Sequence, residues 1–238
     1  MVVPEVNPQA ILKHKGIIAN PNCSTIIMVM ALKPIYDLAK IKRVIVSTYQ
    51  AVSGAGKEGI DELDAQVRDH SEGREMTANI LPSASAEKHY PIAFNLIPQI
   101  DVFCDNLYTK EEMKMVNETK KIMEDYEMRI TATTIRVPVY RSHSESVNIE
   151  LEKEVDLGAM REALAKFPGV TVQDDPSKQE YPMPLYTSEK DDVYVGRLRR
   201  DESCEKSYNM WVVGDQIRKG AALNTLQIAE TMIKNGWI

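Results

Sequence analysis

Three stretches rich in β-branched residues constrain this chain most: RVIVSTYQAV (43–52) and the two halves of MRITATTIRVPVYRSHSESVNIELE, about 128–138 and 144–152. Val, Ile and Thr are stiff at χ1 and pack well on a pleated surface, so runs of them bounded by turn residues predict strands. TVQDD, DVYVGRLRRD and YNMWVVGD add further strands towards the C-terminus, and GIIAN (16–20) reads as a short buried one. Helices fall between them. CSTIIMVMALKPIYDLAK follows the Asn20-Pro21-Asn22 turn, with Pro34 predicting a break or a second start. IDELDAQVRDH spaces Ile60, Leu63 and Val67 along one face. KEEMKMVNETKKIMEDY (110–126) has Thr109 as N-cap and Glu112 completing a capping box. VDLGAMREALAKFPGV ends at Pro168-Gly169, and DQIRKGAALNTLQIAETMIKNG ends at Gly236. Residues 71–100, interrupted by Pro82, Pro91 and Pro98, read as irregular. Hairpin-like strand pairs late in the chain predict an α+β fold: a mixed, largely antiparallel sheet with helices on one face.

Composition narrows the function classes. The 238 residues carry a formal net charge of -6, and this acidic balance argues against sequence-independent binding to nucleic acid, which needs a basic face. No apolar run approaches the ~20 residues of a membrane span. The start, MVVPEVNPQA, lacks the basic-then-apolar layout of a signal peptide, so a cytoplasmic protein is expected. Cys23, Cys104 and Cys204 are odd in number and widely spaced, and His14, His70, His89 and His143 are scattered. That pattern predicts neither a disulfide framework nor a structural metal site.

A few residues have the chemistry of a reactive centre. Cys23 follows a Pro-Asn turn at the start of a predicted helix, where the dipole and free N–H groups lower a thiol's pKa and can hold an oxyanion. A buried structural cysteine is the competing reading. His143, in Arg141-Ser142-His143-Ser144, has the chemistry of a partner base, although a lone His in a polar turn is more often solvated. Gly54, Gly56 and Gly59 spell GxGxxG after a strand, but no strand ending in an acidic residue follows about 20 residues later; the string reads as a close-approach loop and not as a dinucleotide turn. Glu111 and Lys114 share a helix face, as a solvated pair would. Arg136 interrupts the apolar strand TTIRVPV; it either meets an anion or reaches water from an edge.

Taken in order, NPNCST (20–25), STYQAVSGAG (47–56), EEMKMVNETKKI (111–122), RVPVYRSHSESV (136–147) and VGDQIRKGAALNTLQIAE (213–230) resemble aspartate-semialdehyde dehydrogenases, most closely those of the Gram-positive type. The resemblance implies a glyceraldehyde-3-phosphate-dehydrogenase-like C-terminal domain. It implies Cys23 as the nucleophile that forms an aspartyl thioester, His143 as general acid/base, and Gln50 as a support for the acyl group. Arg136 would bind the substrate carboxylate, Glu111 its ammonium, and Lys114 and Asn22 its phosphate. Ser53, Gly54 and Gln216 would lie against the nicotinamide end of NADP. The implied reaction reduces aspartyl β-phosphate to aspartate β-semialdehyde with NADPH, on the route to lysine, methionine and threonine, in a homodimer. It also implies that residues 1–215 form the catalytic and dimerisation domain, that a Rossmann domain holding most of the cofactor precedes Met1, and that the helix within 216–238 packs on that domain, its apolar face (Leu223, Leu226, Ile228, Met232) otherwise exposed or covered by another chain. Such a fragment is expected to have little activity alone. An N-acetyl-glutamyl-phosphate reductase-like enzyme and a non-catalytic dimerisation module are the alternatives; Glu111, Lys114 and Arg136 favour a substrate with a free amino group over the first.

Overall fold

Strand β1 (Ile41–Gln50) organises the molecule, because everything that follows in the chain is laid down on one side or the other of it. In the computed structural model, which describes residues 1–238, six strands form one sheet in the order β2-β1-β3-β6-β5-β4. These are β2 (Arg129–Arg136), β3 (His143–Leu151), β4 (Val170–Val172), β5 (Val193–Arg200) and β6 (Ser207–Gly214). β1 runs parallel to β2, and β4 to β5; the three central pairings are antiparallel. The mixed, largely antiparallel sheet is therefore observed.

The pairing inside it corrects the hairpin-like reading of 128–152. β1 lies between β2 and β3. A parallel return needs a long crossover, and the segment from Ala51 to Met128 supplies it with α2 (Lys57–Ser71), an irregular stretch and α3 (Lys110–Ile122). The short link from β2 to β3 must then pass over the end of β1. It bonds to the chain there, Val137 N–H donating to the Gln50 carbonyl (3.0 Å) and Val52 N–H to the Val139 carbonyl (2.8 Å).

One face of the sheet is covered by α1 (Cys23–Leu38), flanked by α3 and α4 (Leu157–Lys166). Every residue of α1 from Ser24 to Leu32 is buried, so this stretch of α1 forms the middle of the main core, while Lys33 and Asp37 pair towards solvent in its last turns. That burial explains Pro34. The helix continues through it unbroken, because its own burial in the core outweighs the ~3 kcal/mol that an interior proline costs. On the opposite face Tyr49 and Trp211 stack, ring centroids 5.5 Å apart.

Three local expectations are overturned. GIIAN is not a strand: Gly16 takes φ +98° and Ile17 is 87% exposed, with no sheet edge beside them. The helix expected to reach Tyr126 stops at Ile122, just before Glu124 turns to φ +52°. The last helix does not begin at Asp215. A π-helical turn (Arg218–Ala222) precedes α6 (Leu223–Lys234), and α5 is a single turn (Pro184–Thr187). On α6, Ile228 packs against Val2 and Ile11 of this chain's own first residues, while Leu226 stays exposed.

Candidate active site

The topology sends four chain segments to one edge of the sheet. Parallel β1 and β2 both end there, at the paired residues Gln50 and Arg136; antiparallel β3 begins there, with His143 opposite Gly214 at the end of β6. The first turns of α1 and α3 lie above this edge and bring Cys23 and Glu111 to it. Each is fixed by its own cap. The Asn22 side chain accepts from Thr25 N–H (3.1 Å) and starts α1 at Cys23. Thr109 and Glu112 form the predicted capping box, and the Glu112 carboxylate also accepts from Thr134 N–H (3.0 Å), tying α3 to β2.

The carboxylate of Glu111 is the hub. Its Oε1 accepts from Asn22 Nδ2 (2.8 Å) and Gln50 Nε2 (3.2 Å), and its Oε2 from Lys114 Nζ (3.4 Å), which also reaches Asp101 (3.2 Å). Glu111 and Lys114 are thus a partly buried pair and not a solvated one, because Gln50 and Asn22 enclose the carboxylate. Arg136 does not reach water either. It is 3% exposed; one guanidinium nitrogen donates to the Ala51 carbonyl (2.6 Å) while its Nε has no partner.

His143 is the opposite of a solvated turn residue. It is the first residue of β3 and fully buried, because the link from β2 folds back over the end of β1. Its Nδ1 accepts from Ala51 N–H (3.1 Å), so the neutral ring carries its proton on Nε2, which has no partner. Burial, and then the Arg136 charge, hold its pKa well below the usual histidine value. The Ala51 peptide therefore brackets both groups, one with its N–H and the other with its carbonyl.

Cys23 departs from the helix-terminus expectation. Burial, followed by the Glu111 charge, pushes the thiol up to about 12, against the opposing pull of Arg136. Desolvation outweighs the helix N-terminus here. Burial thus favours the neutral form of both the cysteine and the histidine.

The glycines of the GxGxxG string do not make a dinucleotide turn. They lie in a 3-10 turn (Val52–Ala55) and the start of α2, and Gly54 faces the site. A methyl group at Gly54 would stand 2.7 Å from Arg136 Nη1 and 3.1 Å from His143 Cε1. Gln216 donates to Ser53 Oγ and accepts from Ser142 N–H (2.9 Å), so Ser53, Gly54 and Gln216 form one wall beside His143.

All ten residues singled out from the sequence thus belong to one connected region. Sequence reasoning missed the Ala51 peptide, Glu118, which accepts from Asn22 N–H (2.7 Å), and Gly220, where a methyl would lie 3.1 Å from Cys23 Cβ. The stretch RKGAALN carried the signal for Gly220, but nothing local tied it to Cys23. Missed too was Glu145, fully buried on β3 with neither carboxylate oxygen partnered.

Comparison with known proteins follows this geometry. A family model described as "Semialdehyde dehydrogenase, dimerisation domain" matches residues 32–219. The chain is 55% identical over 240 residues to an aspartate-semialdehyde dehydrogenase of Aquifex aeolicus, covering 100% of this chain and 69% of that one. It is 52% identical to one of Bacillus subtilis, covering 98% and 68%. The crystal structure of aspartate semialdehyde dehydrogenase II from Vibrio cholerae superimposes with a TM-score of 0.91 at 46% identity, over 98% of this chain and 68% of that one; the same enzyme has been solved complexed with ASA.

Proposed function

This chain belongs to the aspartate-semialdehyde dehydrogenase family, and we propose that it carries the acyl-transfer centre of an enzyme reducing aspartyl β-phosphate to aspartate β-semialdehyde with NADPH. The observation that supports this most is the convergence of Cys23, Gln50, Glu111, Arg136 and His143 on one sheet edge. A zwitterionic substrate needs an anion for its ammonium and a cation for its carboxylate. Glu111, enclosed by neutral amides, and Arg136, with an unused Nε–H, have that complementarity. Lys114 and Asn22 beside them suit the phosphate.

The neutral resting pair dictates the order of events. When the substrate ammonium pairs with Glu111, the lesser of the two influences that raise the Cys23 thiol, second to burial, is offset. The sulfur then attacks the acyl carbon: the C–S bond forms, the C–O bond to phosphate breaks, and the thiol proton leaves with the phosphate. His143 presents its Nε2 proton to the acyl oxygen as negative charge grows on it, the general-acid half of the role expected of it. Gln50 holds the acyl group, and Ser53, Gly54 and Gln216 form the wall for the nicotinamide. NADPH, when bound, supplies the hydride that takes the thioester to the aldehyde.

Residues 1–215 are taken as the catalytic and dimerisation domain of a homodimer, and the nucleotide end of the cofactor as held outside these 238 residues. A chain of the relatives' length carrying this sequence is expected to form NADPH from aspartate semialdehyde only when phosphate is present. Cys23→Ser should abolish that activity, and the 238-residue chain should show little of it. Phosphate-independent turnover, or full turnover by Cys23→Ser, would refute the reading.

A further inference from the structure

Behind the nucleophile lies a lysine that the chemistry above does not use. Lys219 is 1% exposed and sits in the π-helical turn Arg218–Ala222. That turn is closed by bonds five residues apart, Gly220 N–H to the Asp215 carbonyl (3.2 Å) and Ala222 N–H to the Ile217 carbonyl (3.0 Å). Such turns insert an extra residue into a helix, are rare, and occur frequently at functional sites. Here the extra residue turns both Lys219 and Gly220 inward.

The Lys219 ammonium has three protons and three acceptors: Glu5 Oε2 at 2.6 Å, Gln227 Oε1 at 2.7 Å and Asn224 Oδ1 at 3.1 Å. Asn224 donates onward to the Val2 carbonyl (3.0 Å) and to Asn20 Oδ1 (2.7 Å). One ammonium therefore gathers the chain's first residues, the turn that delivers Cys23, and α6. On the other side of the same π turn, Gly220 backs onto Cys23, and Gln216 joins Ser53 to Ser142, the neighbour of His143. A buried ion pair is a poor source of net stability, since an apolar residue of similar volume does as well. What it does supply is a fixed geometry.

We propose that Lys219 is a positioning residue for the nucleophile: through Glu5, Asn224 and Gln227 it latches the π turn so that Gly220 backs Cys23 and Gln216 aligns the wall beside His143. The proposal rests on the reading of Cys23 as the nucleophile, but its test does not depend on turnover. The three cysteines are alkylated with iodoacetamide across pH, and each site is quantified by mass spectrometry. Exposed Cys204 serves as an internal reference. In Lys219→Met the turn loosens, the solvation of half-buried Cys23 increases, and its apparent pKa falls by about one unit, raising alkylation at pH 8 about tenfold. Cys104 and Cys204 keep their rates. A folded Lys219→Met protein with an unchanged Cys23 profile overturns the proposal. So does equal acceleration at all three cysteines, which reports general loosening. Should Lys219→Met not fold, Gln227→Ala, which removes one acceptor from the latch, decides by the same criteria. Failure of the nucleophile reading itself would appear separately, as turnover surviving in Cys23→Ser.

Discussion

Glu111→Gln separates the two things Glu111 does, because they move in opposite directions. Gln keeps an oxygen for Asn22 Nδ2 and Gln50 Nε2, so the local hydrogen bonds have an acceptor and the capping box at Thr109 and Glu112 is untouched. What it removes is a negative charge that contributes to holding the Cys23 thiol up at about 12. A like charge within ~4–6 Å is worth roughly 1–3 pKa units; with Lys114 already pairing Glu111 at 3.4 Å, the lower end of that range applies. A fall of about one unit is ~1.4 kcal/mol and a tenfold rise in thiolate wherever the pH lies below the pKa. Iodoacetamide labelling of Cys23 at pH 8 should therefore be about ten times faster in Glu111→Gln than in the parent. Turnover of aspartate semialdehyde in a full-length context should fall by at least about tenfold, mostly in KM, because the ammonium has lost its partner. Slower labelling in Glu111→Gln would show that the charge is not what raises the thiol, and the proposed trigger by substrate ammonium would go with it.

Other outcomes follow from the same geometry. The Cys23 labelling rate should climb with pH through 9 without a plateau near neutrality, since burial keeps His143 neutral and Cys23 protonated; a plateau below about pH 7 would indicate a resting thiolate–imidazolium pair instead. Gly54→Ala puts a methyl 2.7 Å from Arg136 Nη1, and should cost about 1–3 kcal/mol in denaturant unfolding and most of the activity. Glu145, fully buried, has its pKa raised well above the ordinary carboxyl value by burial. It stays protonated when folded but ionises when unfolded above about pH 4.5, so its contribution to stability is complete below that pH and is lost as pH rises towards its folded pKa. Glu145→Gln should thus match the parent near pH 4 and exceed it in Tm at pH 7. Thr109→Ala removes the α3 cap and should cost ~1 kcal/mol, read from urea midpoints.

The sheet was legible in sequence because its strands carry their own signal; the β-branched runs at 43–52, 128–138 and 144–152 each became a strand within a few residues of the predicted bounds. The order of those strands was not legible. Adjacency in sequence favoured β2 beside β3, and only the crossover through α2 and α3, built on long-range contacts that no local pattern announces, puts β1 between them. The capping box at Thr109 and Glu112 was readable for the same reason as the strands, being local in both sequence and space. Pro34 and GIIAN failed in complementary ways: one breaker was overruled by its own burial in the core, and one apolar run found no strand to pair with, leaving Ile17 exposed and Ile18 only partly buried.

The site divides along the same line. The residue types at Cys23, Glu111, Arg136 and His143 advertised chemistry, but their local settings mis-stated their condition. A helix N-terminus lowers a thiol's pKa when water is at hand, and a polar turn leaves a histidine solvated. Both inferences assume an environment set by neighbours in sequence. At this edge the environment comes from chain segments far apart in sequence, 92 residues in the bond from Ala51 N–H to His143 and 163 in the bond from Gln216 to Ser53. That remote packing supplies the desolvation, and desolvation inverts the sign of the cysteine shift. For the proposed acyl-transfer centre the consequence is that burial holds the free thiol towards its neutral form, and Glu111 and Arg136 pull it in opposite directions.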